Sequence, residues 1–264
     1  MPATPAWPPR STPRLFVTQP LSAGAQVVLD GPQAHYLVKV MRAKPGDAVV
    51  LCDDLTGEWA ARVVRSDKRS LELLAAICLR PREQVPDFWL CPALLKKDRF
   101  DLVLEKATEL GVRAIHPVLT RRCVADRLNP ERARAILIEA AEQCARTALP
   151  ELAVPVKLEA LLRDWPASRT LFFADEMGGT PLAAAFAASP GPAALLTGPE
   201  GGFDDAERAA IRALPQAIPI SLGPRILRGE TAALAGIAAW MAIAGDWRGR
   251  LGGELMLAQQ SALP

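Results

Sequence analysis

Two histidines and five scattered cysteines leave this 264-residue chain short of metal-ligating and disulfide-forming groups. Cys52, Cys78, Cys91, Cys123 and Cys144 are odd in number, and no C-x-x-C pair occurs. Both facts argue against a disulfide framework or a zinc site, so no metal is expected, and a reducing, cytoplasmic setting fits better. No apolar run reaches the roughly 18 residues of a membrane span. The longest candidate, Ala232 to Ala244, is too short. Residues 1–13 hold several prolines and no apolar segment, which excludes a secretory signal and reads as a disordered tail. The phosphate-loop pattern G-x-x-x-x-G-K-[ST] and the dinucleotide fingerprint G-x-G-x-x-G are both missing, so nucleotide phosphates are not the obvious ligand. Net charge is small as well. The net value is +2; residues 1–86 carry 11 Lys and Arg against 8 Asp and Glu, the remainder 20 against 21. That imbalance is too small to name a partner.

What is present is apolar residue, half of the chain, enough for a sizeable core in one large or two ordinary domains. Residues 14–80 read as short strands around Leu15, Val27, Val49, Ala60 and Leu73, parted by the turn signals Pro45-Gly46-Asp47 and Asp53 to Gly57. His35 to Arg42 interrupts them with a helical pattern. Strands at this spacing suggest a small β-barrel. The polar residues 81–87 read as a linker. From residue 88 the grammar changes to strands alternating with helices, the mark of an α/β domain with a mostly parallel sheet, expected over 88–246. Asp98 is the expected cap of a helix whose apolar face holds Phe100, Val103, Leu104, Ala107 and Leu110, with Gly111 as its stop. A second helix is expected over 131–147, and 247–264 reads as a tail. His116 reads as a core residue, and Lys96, Lys97 and Arg99 as a solvated face.

Two strand-like runs, Ala193 to Thr197 and Ile218 to Leu222, each end in a glycine-proline loop that enters a helix. In open α/β sheets ligands bind at the carboxyl ends of strands, so these loops are the first place to look for chemistry. In the first, Gly198-Pro199-Glu200-Gly201-Gly202, glycines allow close approach of a ligand, and Glu200 suits a neutral or cationic one. Asp204 and Glu207 are spaced as a capping box. In the second, Arg225 and Arg228 precede a helix N-terminus, where cations gain nothing from the helix dipole; they could hold an oxyanion or phosphate. Taken singly, each loop also fits a plain turn with surface charges.

Together the loops are more specific. Leu195 to Phe203 and Ser221 to Ala232 resemble the two signature loops of the ribosomal RNA small subunit methyltransferase E family. Lys106-Ala107-Thr108-Glu109-Leu110-Gly111, Arg121-Arg122-Cys123 and Glu139 to Arg146 resemble further family segments, as does His35 to Arg42 with Gly46-Asp47. The resemblance runs from about Arg14 to Ala244.

It implies a C-terminal SPOUT α/β trefoil-knot domain with a small N-terminal PUA-like β-barrel, a homodimer, and S-adenosyl-L-methionine as cofactor. The implied reaction is methylation of N3 of uridine 1498 in 16S rRNA of the assembled small ribosomal subunit. Thr197, Gly198, Pro199, Glu200, Gly201, Gly202, Ser221, Leu222, Gly223, Ile226 and Leu227 are then expected to bind the cofactor, with Asp175 and Glu176 at the pocket rim. Arg228, Glu230 and Arg225 are the expected catalytic residues: uridine N3 must lose a proton, and the arginines could stabilise the anion while Glu230 or Glu200 accepts the proton or orients an arginine. Arg14, Lys39, Arg42 and Lys44 are expected to hold RNA. Two other readings stay open, a SPOUT enzyme acting on a ribose or a transfer RNA, and a non-catalytic RNA-binding assembly protein.

Overall fold

A computed structural model describes residues 7–9 and 12–248. Most of the two expected tails, residues 1–6, 10–11 and 249–264, lies outside the described residues. The chain divides into two compact units, residues 1–84 with Ile138–Leu149, and residues 85–137 with 150–264.

The first unit is built on β1 (Arg14–Phe16), β2 (Gln26–Leu29), α1 (Gly31–His35), β3 (Ala48–Cys52), β4 (Gly57–Ser66) and β5 (Leu71–Pro81). The strands form one sheet in the order β1-β3-β4-β5-β2, antiparallel except for the β1–β3 pair. Alternate residues such as Val49, Leu51, Ala61, Val63, Leu71 and Leu73 turn inward to a single core. Asp53 sets the β3–β4 turn by accepting the N–H groups of Leu55 and Thr56 at 2.9 and 2.7 Å. Burial opposes its ionisation, but the Thr56 hydroxyl and these N–H groups outweigh it and hold the carboxyl below its usual range.

The helical pattern expected from His35 starts earlier, at Gly31, helped by Pro32 in its first turn, and widens to π geometry over Tyr36–Val40. β5 runs on into Pro81, because Arg80 is anchored by Glu58 and by the Ala145 carbonyl. The segment Ile138–Leu149 joins this unit through Ile138, Ala141 and Leu149, which pack on Phe16 and Cys52. Glu142 accepts the Phe16 N–H at 2.8 Å, and Glu83 accepts those of Thr147 and Ala148 at 2.7 and 3.0 Å.

The second unit carries β6 (Phe88–Pro92), α2 (Lys97–Glu109), β7 (Ala114–Ile115), β8 (Val118–Leu119), α3 (Pro130–Cys144), β9 (Glu151–Leu152), β10 (Val156–Lys157) and α4 (Leu158–Arg163). It continues with β11 (Thr170–Ala174), β12 (Thr180–Pro181), α5 (Leu182–Ala188), β13 (Ala193–Thr197), α6 (Asp205–Ala213), β14 (Ala217–Ser221) and α7 (Gly229–Ile243). The last residues of α3 belong to the first unit. This helix stops at Cys144, short of the expected residue 147, because Ala145 turns left-handed at φ +61°. Seven strands form a parallel sheet in the order β12-β14-β11-β13-β6-β7-β9. Strand β13 is inserted between the earlier β11 and β6, so the order reverses there.

Side chains of the central strands alternate between two cores. Phe88, Leu90, Phe172, Ala193 and Leu195 face α2, α5 and α7. Cys91, Leu171, Phe173, Ala194 and Leu196 face the opposite layer, with Leu158 of α4 and Ile211 of α6. Each fully buried Phe or Leu contributes roughly 1.5–3 kcal/mol relative to exposure. The Ala-rich α7 is apolar nearly all round and is accordingly buried, with Gly236 against Leu195 and Trp240 stacked on Phe88 at 4.3 Å between centroids. Helix α2 buries the expected face, but its N-cap is Lys96, whose side chain makes no cap bond; Asp98 lies in its first turn. Asp204 and Glu207 form the expected capping box on α6, with bonds of 2.7 and 3.0 Å. No helix among the described residues is long and apolar enough to cross a membrane.

Candidate cofactor cleft

Strands β14, β11 and β13 are parallel neighbours, so the segments leaving their carboxyl ends meet at one edge of the sheet. There they enclose a cleft of about 750 Å³, counting the part open to solvent. The β11 end contributes Ala174, Asp175 and Glu176; the β13 loop contributes Gly198, Pro199, Gly202 and Phe203. From β14 onward the wall is Ile220 to Leu227, closed by Gly229 and Ala232 of α7.

Of the expected cofactor residues, Gly198, Pro199, Gly202, Ser221, Leu222, Gly223, Ile226 and Leu227 line this cleft. Three do not. Thr197 is buried at the end of β13, where its carbonyl accepts the Ala93 N–H. Gly201 backs onto Arg122, whose guanidinium holds the Gly201 carbonyl at 3.0 Å. Glu200 turns its carboxylate to the Lys96 N–H at 3.2 Å. The exposed acid of the cleft is therefore Glu176, not Glu200; Asp175 beside it is shielded from solvent. The remainder of the wall is mostly backbone and aliphatic side chain, with Ile226 86% exposed, joined by Phe203, Ser221 and Arg225. Such a lining suits a ligand with an apolar body and a few neutral or cationic polar groups.

Behind Glu176 stands an ion-pair network that sequence reasoning did not find. Asp175, with a side chain wholly shielded from solvent, receives Arg208 at 3.1 Å and Arg212 at 2.6 Å. Arg208 also bonds Glu176 at 2.8 Å. Burial raises the Asp175 carboxyl, but the Met177 N–H and the two guanidiniums outweigh it and hold it below its usual range. The available signal was the spacing of Arg208 and Arg212, four apart on one helix face, opposite two acids that follow a strand.

The expected catalytic residues separate. Arg225 is exposed on the cleft wall. Arg228 is exposed just before α7, where its carbonyl accepts the Ala232 N–H at 2.8 Å. Among the described residues neither guanidinium has an ion-pair partner. Glu230, in contrast, is buried and off the cleft. One carboxylate oxygen is bound by Arg99, which was expected on a solvated face, and the other has no hydrogen-bond partner among the described residues. Gly229 tucks between the Gly198 carbonyl and Leu95, so α7 starts in contact with the β13 loop.

His116 lies outside the cleft and packs on Trp89 at 4.4 Å; burial holds its pKa below the ordinary value. In the first unit, Lys39, Arg42 and Lys44 are exposed within six residues, Arg42 at φ +56°. Arg14 is half-buried, where together with Arg80 it pairs with the buried Glu58.

Residues 82–241 match the profile of an RNA methyltransferase domain, and residues 29–75 that of an RNA methyltransferase PUA domain. The chain is 33% identical to the ribosomal RNA small subunit methyltransferase E of Synechocystis, over 83% of its own length and 74% of that protein. It is 32% identical to the protein of that name from Mycobacterium bovis, over 85% of its length and 89% of that protein. A crystal structure of a ribosomal RNA small subunit methyltransferase E from Neisseria gonorrhoeae, bound to S-adenosyl methionine, superposes with a TM-score of 0.80. It is 29% identical and aligns over 89% of this chain and 99% of that one.

Proposed function

The chain belongs to the ribosomal RNA small subunit methyltransferase E family, and from that premise we propose that it transfers a methyl group from S-adenosylmethionine to 16S rRNA. The observation that carries this reading is the cleft at the ends of β11, β13 and β14, walled by both glycine-proline loops. Its glycine-rich backbone, with Leu222, Ile226 and Leu227 beside it, matches a ligand with an adenosine body. When bound, the cofactor supplies an electrophilic methyl carbon; the chain's residues bind, orient and shield it. The backbone of Gly198, Gly202, Leu222 and Gly223 and the side chains of Leu222, Ile226 and Leu227 form the walls against which it lies.

The acceptor is N3 of a uridine in the assembled small subunit. N3 becomes a nucleophile only as its proton leaves to solvent water, and Arg228 and Arg225, free of ion-pair partners among the described residues, stabilise the anion that develops. Glu230 is an orienting residue: bound by Arg99 and buried, it fixes the first turn of α7 directly after Arg228. Lys39, Arg42 and Lys44 of the PUA-like unit grip phosphates. A homodimer, a cytoplasmic setting and a knot threading the β14–α7 segment complete the proposal.

The test compares methyl incorporation from labelled S-adenosylmethionine into intact small subunits, protein-free rRNA and transfer RNA. Incorporation into small subunits above the other two is expected. Preferential methylation of transfer RNA would overturn the substrate assignment, and incorporation into none of them would overturn the enzymatic reading. Sedimentation at micromolar concentration is expected to give a dimer; a monomer contradicts that part.

A further inference from the structure

We propose that Glu176 reads the ribose of the ligand in this cleft, accepting hydrogen bonds from its hydroxyls; the inference rests on the S-adenosylmethionine reading above. Glu176 ends the β11 segment, the middle one of the three that form the cleft, and is part of its wall. Its Oε1 is pinned by Arg208 at 2.8 Å, and no hydrogen bond to its Oε2 forms among the described residues. The carboxylate approaches the backbone of Gly202 so closely that a methyl group there would stand 2.8 and 2.9 Å from its two oxygens. Gly202 is left-handed at φ +67°, so the β13 loop is shaped to leave that space to the carboxylate.

Charge decides which ligand group the carboxylate meets. Asp175, Glu176, Arg208 and Arg212 form one network with the exposed Asp205, 3.5 Å from Arg208, and it carries three negative and two positive charges. A cation reaching Oε2 meets the Arg208 guanidinium close behind, which offsets much of the attraction. A hydroxyl carries no net charge and keeps the full benefit of a charged acceptor. The network also fixes the carboxylate in advance: Asp175, itself unexposed, anchors both arginines, so little side-chain freedom remains to be lost on binding. A paired, immobilised carboxylate with a guanidinium directly behind it fits a vicinal diol better than an ammonium group.

The experiment is calorimetric titration of the full chain with three ligands: S-adenosylmethionine, 5′-methylthioadenosine, which lacks the amino-acid group, and the 2′,3′-dideoxy form of 5′-methylthioadenosine. The proteins are the wild type, E176A and E176Q. Wild type is expected to lose about ten- to a hundredfold in affinity when the hydroxyls are removed. E176A loses a similar factor on the two hydroxylated ligands and binds the dideoxy ligand as wild type does. E176Q, which keeps shape and one acceptor, shows a smaller loss confined to the same two ligands and carries the test should E176A not fold. Equal losses on all three ligands would show a merely structural residue and overturn the inference, as would wild-type affinities throughout. A loss on S-adenosylmethionine alone overturns it in favour of the ammonium group. A wild type that binds neither S-adenosylmethionine nor methylthioadenosine overturns the cofactor reading itself, and this inference with it.

Discussion

Replacing Gly229 by alanine tests whether the start of α7 and the β13 loop form one cofactor wall. A methyl group at this position would lie 2.8 Å from the Gly198 carbonyl oxygen and 2.9 Å from a Leu95 methyl. Carbon–oxygen contacts settle at roughly 3.3–3.6 Å, so the two segments must part by about 0.5 Å or more. Leu95 can yield by rotating; the Gly198 carbonyl is backbone and cannot. Alanine favours the helix by up to ~1 kcal/mol, less at its first residue. Overpacking costs about 1–3 kcal/mol. The overpacking term wins, and a net loss of about 0–3 kcal/mol in unfolding free energy is expected, read by urea denaturation. Cofactor affinity should fall about tenfold or more, because the displaced carbonyl belongs to a loop that lines the cleft. A G229A protein that is more stable than wild type and binds S-adenosylmethionine with unchanged affinity would refute this reasoning.

Further outcomes follow from the same geometry. Arg228→Ala should lower single-turnover methylation by about a hundredfold or more while leaving cofactor affinity within a factor of two or so, since its side chain is not part of the cleft wall; wild-type turnover removes Arg228 from the mechanism. Arg99→Ala strands the buried Glu230 and should cost about 1–2 kcal/mol, discounted because Arg99 itself is about one-third exposed; unchanged denaturation would show the pair to be weak. His116 has a folded pKa below its ordinary 6.5, so the unfolded chain takes up the proton first. Its contribution is complete above about pH 6.5 and is lost as pH falls. The drop in melting temperature between about pH 7.5 and 5.5 should therefore shrink in His116→Phe, and an identical drop contradicts the assignment. Arg42→Ala should reduce the salt dependence of binding to small subunits by about one unit of log–log slope, and an unaltered slope places Arg42 off the RNA.

Much of the architecture was legible because it rests on local rules. The shift from strand patterns to strand–helix alternation near residue 88 marks the parallel sheet, and Asp204 with Glu207 caps α6 by spacing alone. The two loops were found because glycine and proline must break strands. What stayed hidden depends on neighbours distant in sequence. Glu200 and Glu176 both follow strands, and nothing local says which faces the cleft; the Lys96 N–H takes the first and Arg208 holds the second. Glu230 reads as a free acid until Arg99, 131 residues away, is seen beside it. Arg14 reads as a surface cation because its partner Glu58 is 44 residues on. Residues 138–144 continue one helical pattern with the rest of α3, and the membership of 138–149 in the first unit is set by contacts with Phe16, Cys52, Asp54 and Glu83.

The central claim is tested most directly by the nucleoside carrying the transferred methyl group. Small subunits from cells lacking this activity would be incubated with the protein and S-adenosylmethionine bearing a heavy methyl, and the 16S rRNA digested and read by mass spectrometry. The account predicts heavy label in 3-methyluridine, confined to one position of the rRNA. Label on a ribose or on another base would contradict the assigned chemistry, and unlabelled rRNA would contradict the enzyme.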